Sequence, residues 1–161
     1  MPQSQEFFRG EHSRKMDERY RLSVPGEWAD RLGGASGECI LAKERPGCLS
    51  LWNAAQWVSK LEARAELIEQ KFRLGELDRR IGQVQMFGRL WSTRQKPVPL
   101  KSGGRLLVPE GFREFLGVEA GGDVMVIGAA VCVEIWNPKA WVKYLEGRIA
   151  RFRRLFDHLS K

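Results

Sequence analysis

Few residues of the kinds that bind metals or form crosslinks occur in this chain. It has three cysteines and two histidines among 161 residues. No CxxC pair is present, and neither His12 nor His158 has a partner at metal-ligand spacing, so neither a disulfide framework nor a zinc site is expected. Cys48 and Cys132 stand inside apolar runs, which predicts buried thiols and a reducing, cytoplasmic compartment.

Long apolar segments and phosphate-binding motifs are missing as well. No run approaches the roughly 20 residues that a membrane-spanning helix needs, and the polar start lacks a signal-peptide core. Gly103-Gly104 fits neither the GxxxxGK[ST] nor the GxGxxG framework, and Asp17-Glu18 suits a turn better than a catalytic pair. The sequence therefore predicts a soluble protein without catalytic activity, cofactor or membrane contact.

Positive charge is what the chain has in excess. The formal net charge is +7, and the pI is near 9.7. Residues 91–161 carry twelve Lys and Arg against seven Asp and Glu, whereas residues 1–90 carry fifteen against thirteen. This balance favours a polyanionic partner, with the excess concentrated in the second half.

A repeat with an offset of 84 residues organises the chain. Residues 21–25, Arg-Leu-Ser-Val-Pro, return as residues 105–109, Arg-Leu-Leu-Val-Pro. Other matched pairs at the same offset are Trp28/Phe112, Leu32/Leu116, Gly33/Gly117, Cys48/Cys132, Trp52/Trp136 and Trp57/Trp141. The repeat predicts two like units, at residues 7–61 and 91–145, with a helix extension and linker at 62–90 and a basic C-terminal helix at 146–161.

Alternation and capping signals predict an α+β fold with the same plan in each unit. An edge strand is expected at 10–16, a short strand at 21–24, a helix ending at Gly33, a hairpin of 39–42 with 48–52, and an Asn53-capped helix to about Arg73. The second unit should have a strand at 105–108, a helix ending at Gly117, a hairpin of 124–127 with 131–136, and a helix at 139–159. We interpret residues 75–90 as a helix end followed by a connection.

Each unit places an arginine after a turn, at the start of a strand. A guanidinium whose backbone is fixed between a turn and a strand suits bidentate contact with guanine or with phosphate. Asp17, four residues before Arg21, could hold the Arg21 side chain or cap the turn. The other candidate cations are Arg14, Lys15, Arg19, Arg94, Lys96 and Lys101. A solvated, charged hairpin is the alternative, but packing alone does not require arginine twice at this place.

The combined motifs resemble a known family. Phe8-Arg9-Gly10 resembles its opening segment, Asp17 and Arg21 match its DxxxR signature, and Glu134-Ile135-Trp136 followed by a helix matches the end of its second unit. The chain in these respects is similar to the MraZ family of bacterial regulators, which are built from two tandem SpoVT/AbrB-like units. The resemblance covers residues 7–146.

This resemblance implies a sequence-specific DNA-binding transcriptional regulator of the division and cell-wall gene cluster. It also implies binding to double-stranded DNA at promoter direct repeats, a ring-like homo-oligomer and a nucleoid-associated location. Two departures from the family pattern are Tyr20, where glycine is usual, and Lys101, where aspartate is usual. We expect the first turn to differ in shape and the second to bind phosphate more generally.

Other interpretations remain open at this stage. The protein could be a non-enzymatic oligomeric scaffold, or a binding protein of the AbrB-like antitoxin type. The tryptophans could stack on bases, although core or subunit packing is favoured. The arginines at 148–154 could form a nucleic-acid arm or a membrane-surface helix, although an ordinary amphipathic helix is favoured.

Overall fold

The computed structural model describes residues 6–161, which form eight strands and seven α-helices. The strands are β1 Glu11–Lys15, β2 Arg21–Ser23, β3 Glu38–Arg45, β4 Cys48–Asn53, β5 Gln95–Pro99, β6 Arg105–Leu107, β7 Asp123–Gly128 and β8 Val133–Trp136. The helices are α1 Gly26–Gly33, α2 Ala54–Trp57, α3 Ala63–Arg73, α4 Ile81–Arg94, α5 Glu110–Leu116, α6 Pro138–Arg148 and α7 Phe152–Leu159. The predicted α+β class is confirmed.

A six-stranded antiparallel sheet carries the repeat in its strand order, β1-β7-β8-β4-β3-β5. Adding 84 to the residue numbers turns β1 into β5, β3 into β7 and β4 into β8. The sheet therefore has a pseudo-twofold axis between β4 and β8. The first strand of each unit is exchanged, because β1 pairs with β7 of the second unit and β5 pairs with β3 of the first.

A separate two-stranded ribbon, which we call the β2–β6 ribbon, joins the two repeated arginine segments. Leu22 lies opposite Leu106, Arg21 opposite Leu107, and Ser23 opposite Arg105 in an antiparallel register. Leu22 and Leu106 are each only 2% exposed, which anchors the inner face of the ribbon. Successive strand residues point to opposite faces, so the other four side chains lie on the outer face.

Both units contribute to one apolar core. Its buried members include four repeat pairs, Leu22/Leu106, Val24/Val108, Trp28/Phe112 and Leu32/Leu116. Helices α1 and α5 supply the second two pairs, and α5 ends at Gly117 in the left-handed conformation expected of a terminating glycine. Units of roughly 55 residues would be marginal alone, and sharing a core gives each the burial that it lacks.

Two smaller clusters attach α2 and α6 to the sheet. Asn53 caps α2 by accepting a hydrogen bond from the Gln56 amide (3.2 Å), and Asn137 caps α6 by accepting one from the Lys139 amide (3.0 Å). The tryptophans pack beside these caps in the pairs Trp52–Trp57 and Trp136–Trp141, with ring centroids 5.9 and 5.1 Å apart. The predicted caps and the packing interpretation of these tryptophans are confirmed.

The three cysteines are buried free thiols. Burial raises the pKa of the Cys39 thiol to about 12 and raises the pKa of Cys48 and Cys132 as well. They pack as small apolar groups, as predicted for Cys48 and Cys132.

Residues 75–90 were predicted as a helix end followed by a connection, and this is wrong for residues 81–90, which are helical. Gly75 ends α3 with a φ of 76°, a short 3₁₀ turn follows at Asp78–Arg80, and α4 then runs from Ile81 to Arg94. Glycines and paired arginines obscured a helical pattern. Phe87 and Trp91, one turn apart, stack with ring centroids 5.7 Å apart.

Two further elements differ from prediction. The C-terminal helix is not continuous, because a 3₁₀ turn at Ile149–Arg151 separates α6 from α7. The break follows Gly147, whose helix propensity is low.

Strand β5 was not predicted, because Pro97 and Pro99 argue against a central strand. However, β5 lies at a sheet edge, where proline is tolerated.

Candidate nucleic-acid interface

Asp17 fixes the arginine of the first turn. Its Oδ1 accepts hydrogen bonds from the backbone amides of Arg19 (2.8 Å) and Arg21 (2.9 Å), and its Oδ2 accepts one from Arg21 Nε (2.8 Å). The carboxylate thus both caps the turn and holds the side chain, the two roles predicted for it. Because the hydrogen bond to Asp17 Oδ2 uses Nε, the two terminal Nη groups of Arg21 remain as donors for a ligand.

The Asp17–Arg21 pair is accessible rather than internal. The Arg21 and Asp17 side chains are 40% and 41% exposed. The amide of Arg21, followed by the amide of Arg19 and the Arg21 side chain, lowers the pKa of the Asp17 carboxyl below its ordinary 3.8. Asp17 is therefore an anion throughout the physiological pH range.

The second turn keeps the backbone of the first but loses the carboxylate tether. The Lys101 amide donates to Arg105 O (2.8 Å) as the Asp17 amide donates to Arg21 O (2.9 Å). Lysine cannot accept a hydrogen bond from a guanidinium. Among residues 6–161, no carboxylate lies within ion-pair distance of Arg105, so this arginine has more rotational freedom than Arg21.

The expectation that Tyr20 would alter the first turn is wrong. Tyr20 adopts a φ of 60°, close to the 75° of its repeat equivalent Gly104. A left-handed non-glycine residue costs roughly 1–2 kcal/mol. The Arg113 guanidinium lies 4.2 Å from the centre of the Tyr20 ring, while its Nε donates to Val108 O at 2.7 Å. This cation–π contact offsets part of the strain.

Two grooves flank the β2–β6 ribbon, and both are lined by Arg21 and Arg105. One, of about 500 Å³, also includes Arg14, Lys15 and Asp17. The other, of about 650 Å³, includes Lys96, Lys101, Arg113 and a single acid, Glu110. Seven of the nine predicted site residues thus line these two grooves, namely Arg14, Lys15, Asp17, Arg21, Lys96, Lys101 and Arg105.

The other two predicted residues lie apart from the grooves. Arg19 is an exposed residue of the first turn. Arg94 forms an ion pair with Glu44, with Nη2 to Oε1 at 3.5 Å. The participation of all nine residues in DNA binding stays a prediction.

Sequence reasoning missed Arg113, Leu107 and Ser23 as groove or outer-face residues. Arg113 follows Pro109 by four residues, one helical turn into α5, and this spacing could have placed it beside the preceding strand. The period of two in residues 21–23 and 105–107 could likewise have placed Ser23 and Leu107 on the same face as the arginines.

A second polar cluster lies along β3, β4 and β8. Ser50 Oγ donates to Glu44 Oε1 (2.8 Å), and Trp136 Nε1 donates to Glu134 Oε1 (3.0 Å). Burial, followed by the nearby Glu44 charge, raises the pKa of Glu134, while the Trp136 hydrogen bond opposes the shift.

In the part of the chain that the structure describes, no group of three or more His, Cys, Asp or Glu residues could hold a metal ion. No helix within residues 6–161 is long and apolar enough to cross a bilayer.

Comparison with known proteins gives consistent matches. A family model described as "MraZ protein, putative antitoxin-like" matches residues 98–157. The protein named transcriptional regulator MraZ from Acetivibrio thermocellus is 30% identical over 137 residues, which cover 85% of each chain. A protein of the same name from Syntrophomonas wolfei is 26% identical over 152 residues, which cover 94% of this chain and 96% of the relative. Another from Thermus thermophilus is 27% identical over 142 residues, which cover 88% of this chain and 90% of the relative.

Proposed function

The chain belongs to the MraZ family, and we propose that it is a DNA-binding transcriptional regulator that recognises specific sequences. Its target would be the promoter of the division and cell-wall gene cluster, through short direct repeats. Such a role locates the protein on the nucleoid, in the cytoplasm. The activity is binding rather than catalysis.

The observation that carries the proposal is the arrangement of the β2–β6 ribbon. Its antiparallel pairing places Arg21 and Arg105 on one outer face, related by the pseudo-twofold axis. A two-stranded ribbon fits the major groove of B-DNA, and an arginine fork pairs with O6 and N7 of guanine. Arg21, with Nε held by Asp17, presents its fork ready for this contact, which lowers the entropy lost on binding.

The surrounding cations would hold the backbone. Lys15 and Arg14 stand on one side of the ribbon, and Lys96 and Lys101 on the other. Contacts of this kind position a protein on the duplex without reading its sequence, and each makes binding weaker at higher salt. Arg19 and Arg94 are proposed for the same role; Arg94 would first have to leave Glu44.

A gel shift with duplex DNA from upstream of the protein's own gene tests the proposal. The wild type should prefer this duplex over a scrambled one at moderate salt. Arg105→Ala should weaken specific binding by about 1–3 kcal/mol. The double variant Arg79→Ala/Arg80→Ala, which removes two exposed charges between α3 and α4, should behave like the wild type. Equal affinity for both duplexes would remove the specific-regulator proposal.

We also propose that copies assemble head to tail into a ring. Helix α7 has an exposed apolar stripe, from Phe152 (61% exposed) through Leu155 and Phe156 to Leu159 (73%). Beside it runs a basic stripe of Arg151, Arg154 and His158, at a spacing of three and then four residues.

A complementary surface exists on the linker helices. Glu69, Glu66 and Glu62 follow the same three-then-four spacing in reverse and line a groove with Phe87 and Trp91. Both stripes span about 10.5 Å at 1.5 Å per residue, so an antiparallel contact between residues 151–158 of one copy and residues 62–69 of the next sets Arg151 against Glu69 and Arg154 against Glu66. Because the two surfaces differ, the contact is heterologous and can close a ring.

Light scattering after size exclusion tests this contact. Arg151→Glu/Arg154→Glu should reduce the assembly to smaller species, and adding Glu66→Lys/Glu69→Lys in the same chain should restore it. Persistence of the full assembly in the first variant would contradict the contact. If the wild-type protein assembles but binds neither the upstream nor the scrambled duplex, the scaffold alternative is favoured.

A further inference from the structure

The outer face of the β2–β6 ribbon is asymmetric in one respect. Its arginines are repeat equivalents, but the other two outward positions differ, with Ser23 in the first unit and Leu107 in the second. Leu107 is 48% exposed although it lies among arginines and lysines. Since its strand neighbour Leu106 already anchors the ribbon to the core, the core gains little from a second leucine turned outward.

The register places each differing residue beside one arginine. Leu107 lies directly across from Arg21, and Ser23 directly across from Arg105. Side chains directly opposite in an antiparallel pair have Cβ atoms roughly 4.5–5.5 Å apart. The ribbon thus presents an arginine with an apolar neighbour at one end and an arginine with a hydroxyl neighbour at the other.

These pairs have different base preferences. The C5 methyl of thymine is the only apolar group on a base edge in the major groove, and apolar side chains contact it. A serine hydroxyl bonds to donors and acceptors on several bases and discriminates little. We propose that Leu107 is a specificity-determining residue that contacts the methyl group of a thymine next to the guanine bound by Arg21. This inference rests on the proposed DNA-binding function.

The asymmetry has a consequence for the operator. The Arg21–Leu107 end of each ribbon prefers thymine beside guanine, and the Arg105–Ser23 end does not. Each chain therefore recognises a short DNA sequence that differs between its two ends. Copies related by a ring contact present this element in the same order, which fits direct repeats rather than palindromes.

Replacement of thymine by deoxyuridine isolates the contact, because uracil lacks only the methyl group. Duplexes enriched by the full-length protein from a pool of random 20-base-pair sequences provide the probe. Each thymine of the enriched duplex is then replaced in turn. At one position the wild type should bind about fourfold more weakly, which corresponds to ~0.8 kcal/mol for one buried methyl-sized group.

The variants assign that loss to a side chain. Leu107→Ser, which makes the two ends alike, should bind the thymine and uracil duplexes equally. Val131→Ser, which alters a similarly exposed apolar residue (54%) outside the ribbon, should keep the fourfold difference. Thermal unfolding monitors that each variant is folded, and Leu107→Val, which keeps an apolar group, provides a second test by retaining part of the difference.

The outcomes separate the inference from the function on which it rests. If no sequence is enriched, the proposed DNA recognition itself is wrong. If a sequence is enriched but no uracil substitution weakens binding, or if the loss persists in Leu107→Ser, recognition stands and the role of Leu107 is overturned.

Discussion

Asp17 is the residue on which the orientation of Arg21 depends. It accepts three hydrogen bonds, one of them from the Arg21 side chain. Asp17→Asn should reduce the preference for the upstream duplex over a scrambled one, because a neutral amide holds the guanidinium weakly, while affinity for scrambled DNA changes little. Anisotropy titrations of both duplexes measure the ratio. Glu18→Gln, an exposed neighbour with the same charge change, is the control and should leave the ratio unchanged.

The same carboxylate has a defined pH dependence. Its pKa is lowered in the folded protein from 3.8, so its stabilising contribution is fully present above that value. The contribution is lost as the pH falls through the lowered pKa. The difference in Tm between the wild type and Asp17→Asn should be constant from pH 5 to pH 8 and should shrink below about pH 3.8. A difference that changes between pH 5 and pH 8 would contradict this assignment.

Gly104 supports the second turn through its lack of a side chain. Its φ is 75°, and a Cβ atom there would lie 2.5 Å from the Val24 carbonyl oxygen. Gly103 has a similar φ of 80° but faces open space. Gly103→Ala should reduce the free energy of unfolding by about 1 kcal/mol, and Gly104→Ala by roughly 1–3 kcal/mol more, because of the clash. Urea titrations compare them, and equal losses would show that the clash is relieved without cost.

At the scale of elements, strand β8 contains a half-buried carboxyl, Glu134, whose desolvation lowers the stability of the folded protein. The folded pKa of Glu134 is raised above 4.5, mainly by burial. Its destabilising effect is therefore absent below the unfolded pKa and develops as the pH rises through the folded value. Glu134→Gln should raise the Tm at pH 7 and give no gain below pH 4.5. The exposed Glu119→Gln should alter the Tm at neither pH. A lower Tm for Glu134→Gln at pH 7 would contradict the assignment.

Most elements could be predicted from the sequence because their signals are local. Asn53, Asn137 and Gly117 mark helix ends by their own capping chemistry. Strand β5 was missed although it lies 84 residues after β1, whose position was predicted. Applying the repeat to that strand would have found β5 in spite of its prolines.

The strand exchange could not be predicted in the same way. A repeat fixes which segments are equivalent, but it does not say whether β1 pairs with its own hairpin or with the other one. Both arrangements bury the same alternating residues. For the site, the turn arginines and Asp17 were predictable, whereas Arg113 reaches Tyr20 only through the tertiary packing of α5.

At the scale of the whole molecule, the exchanged strands make the two units interdependent. Strand β1 pairs with β7, and β5 with β3, so cutting the chain between the units leaves both pairings intact. A protease site inserted in the exposed turn at 74–78 should yield two fragments that stay together in native size exclusion. Each fragment expressed alone should be unfolded by circular dichroism. Separation of the fragments without denaturant would show that the units fold independently.

The functional account depends on guanidinium forks rather than on charge alone, and the double variant Arg21→Lys/Arg105→Lys separates the two. Lysine keeps each charge but cannot make the bidentate contact with guanine. The decisive measurement is the ratio of the Kd values for scrambled and upstream duplexes, taken at one salt concentration. The account predicts that this ratio falls about tenfold or more, while affinity for the scrambled duplex stays within about threefold of the wild type. An unchanged ratio would contradict sequence recognition by the ribbon.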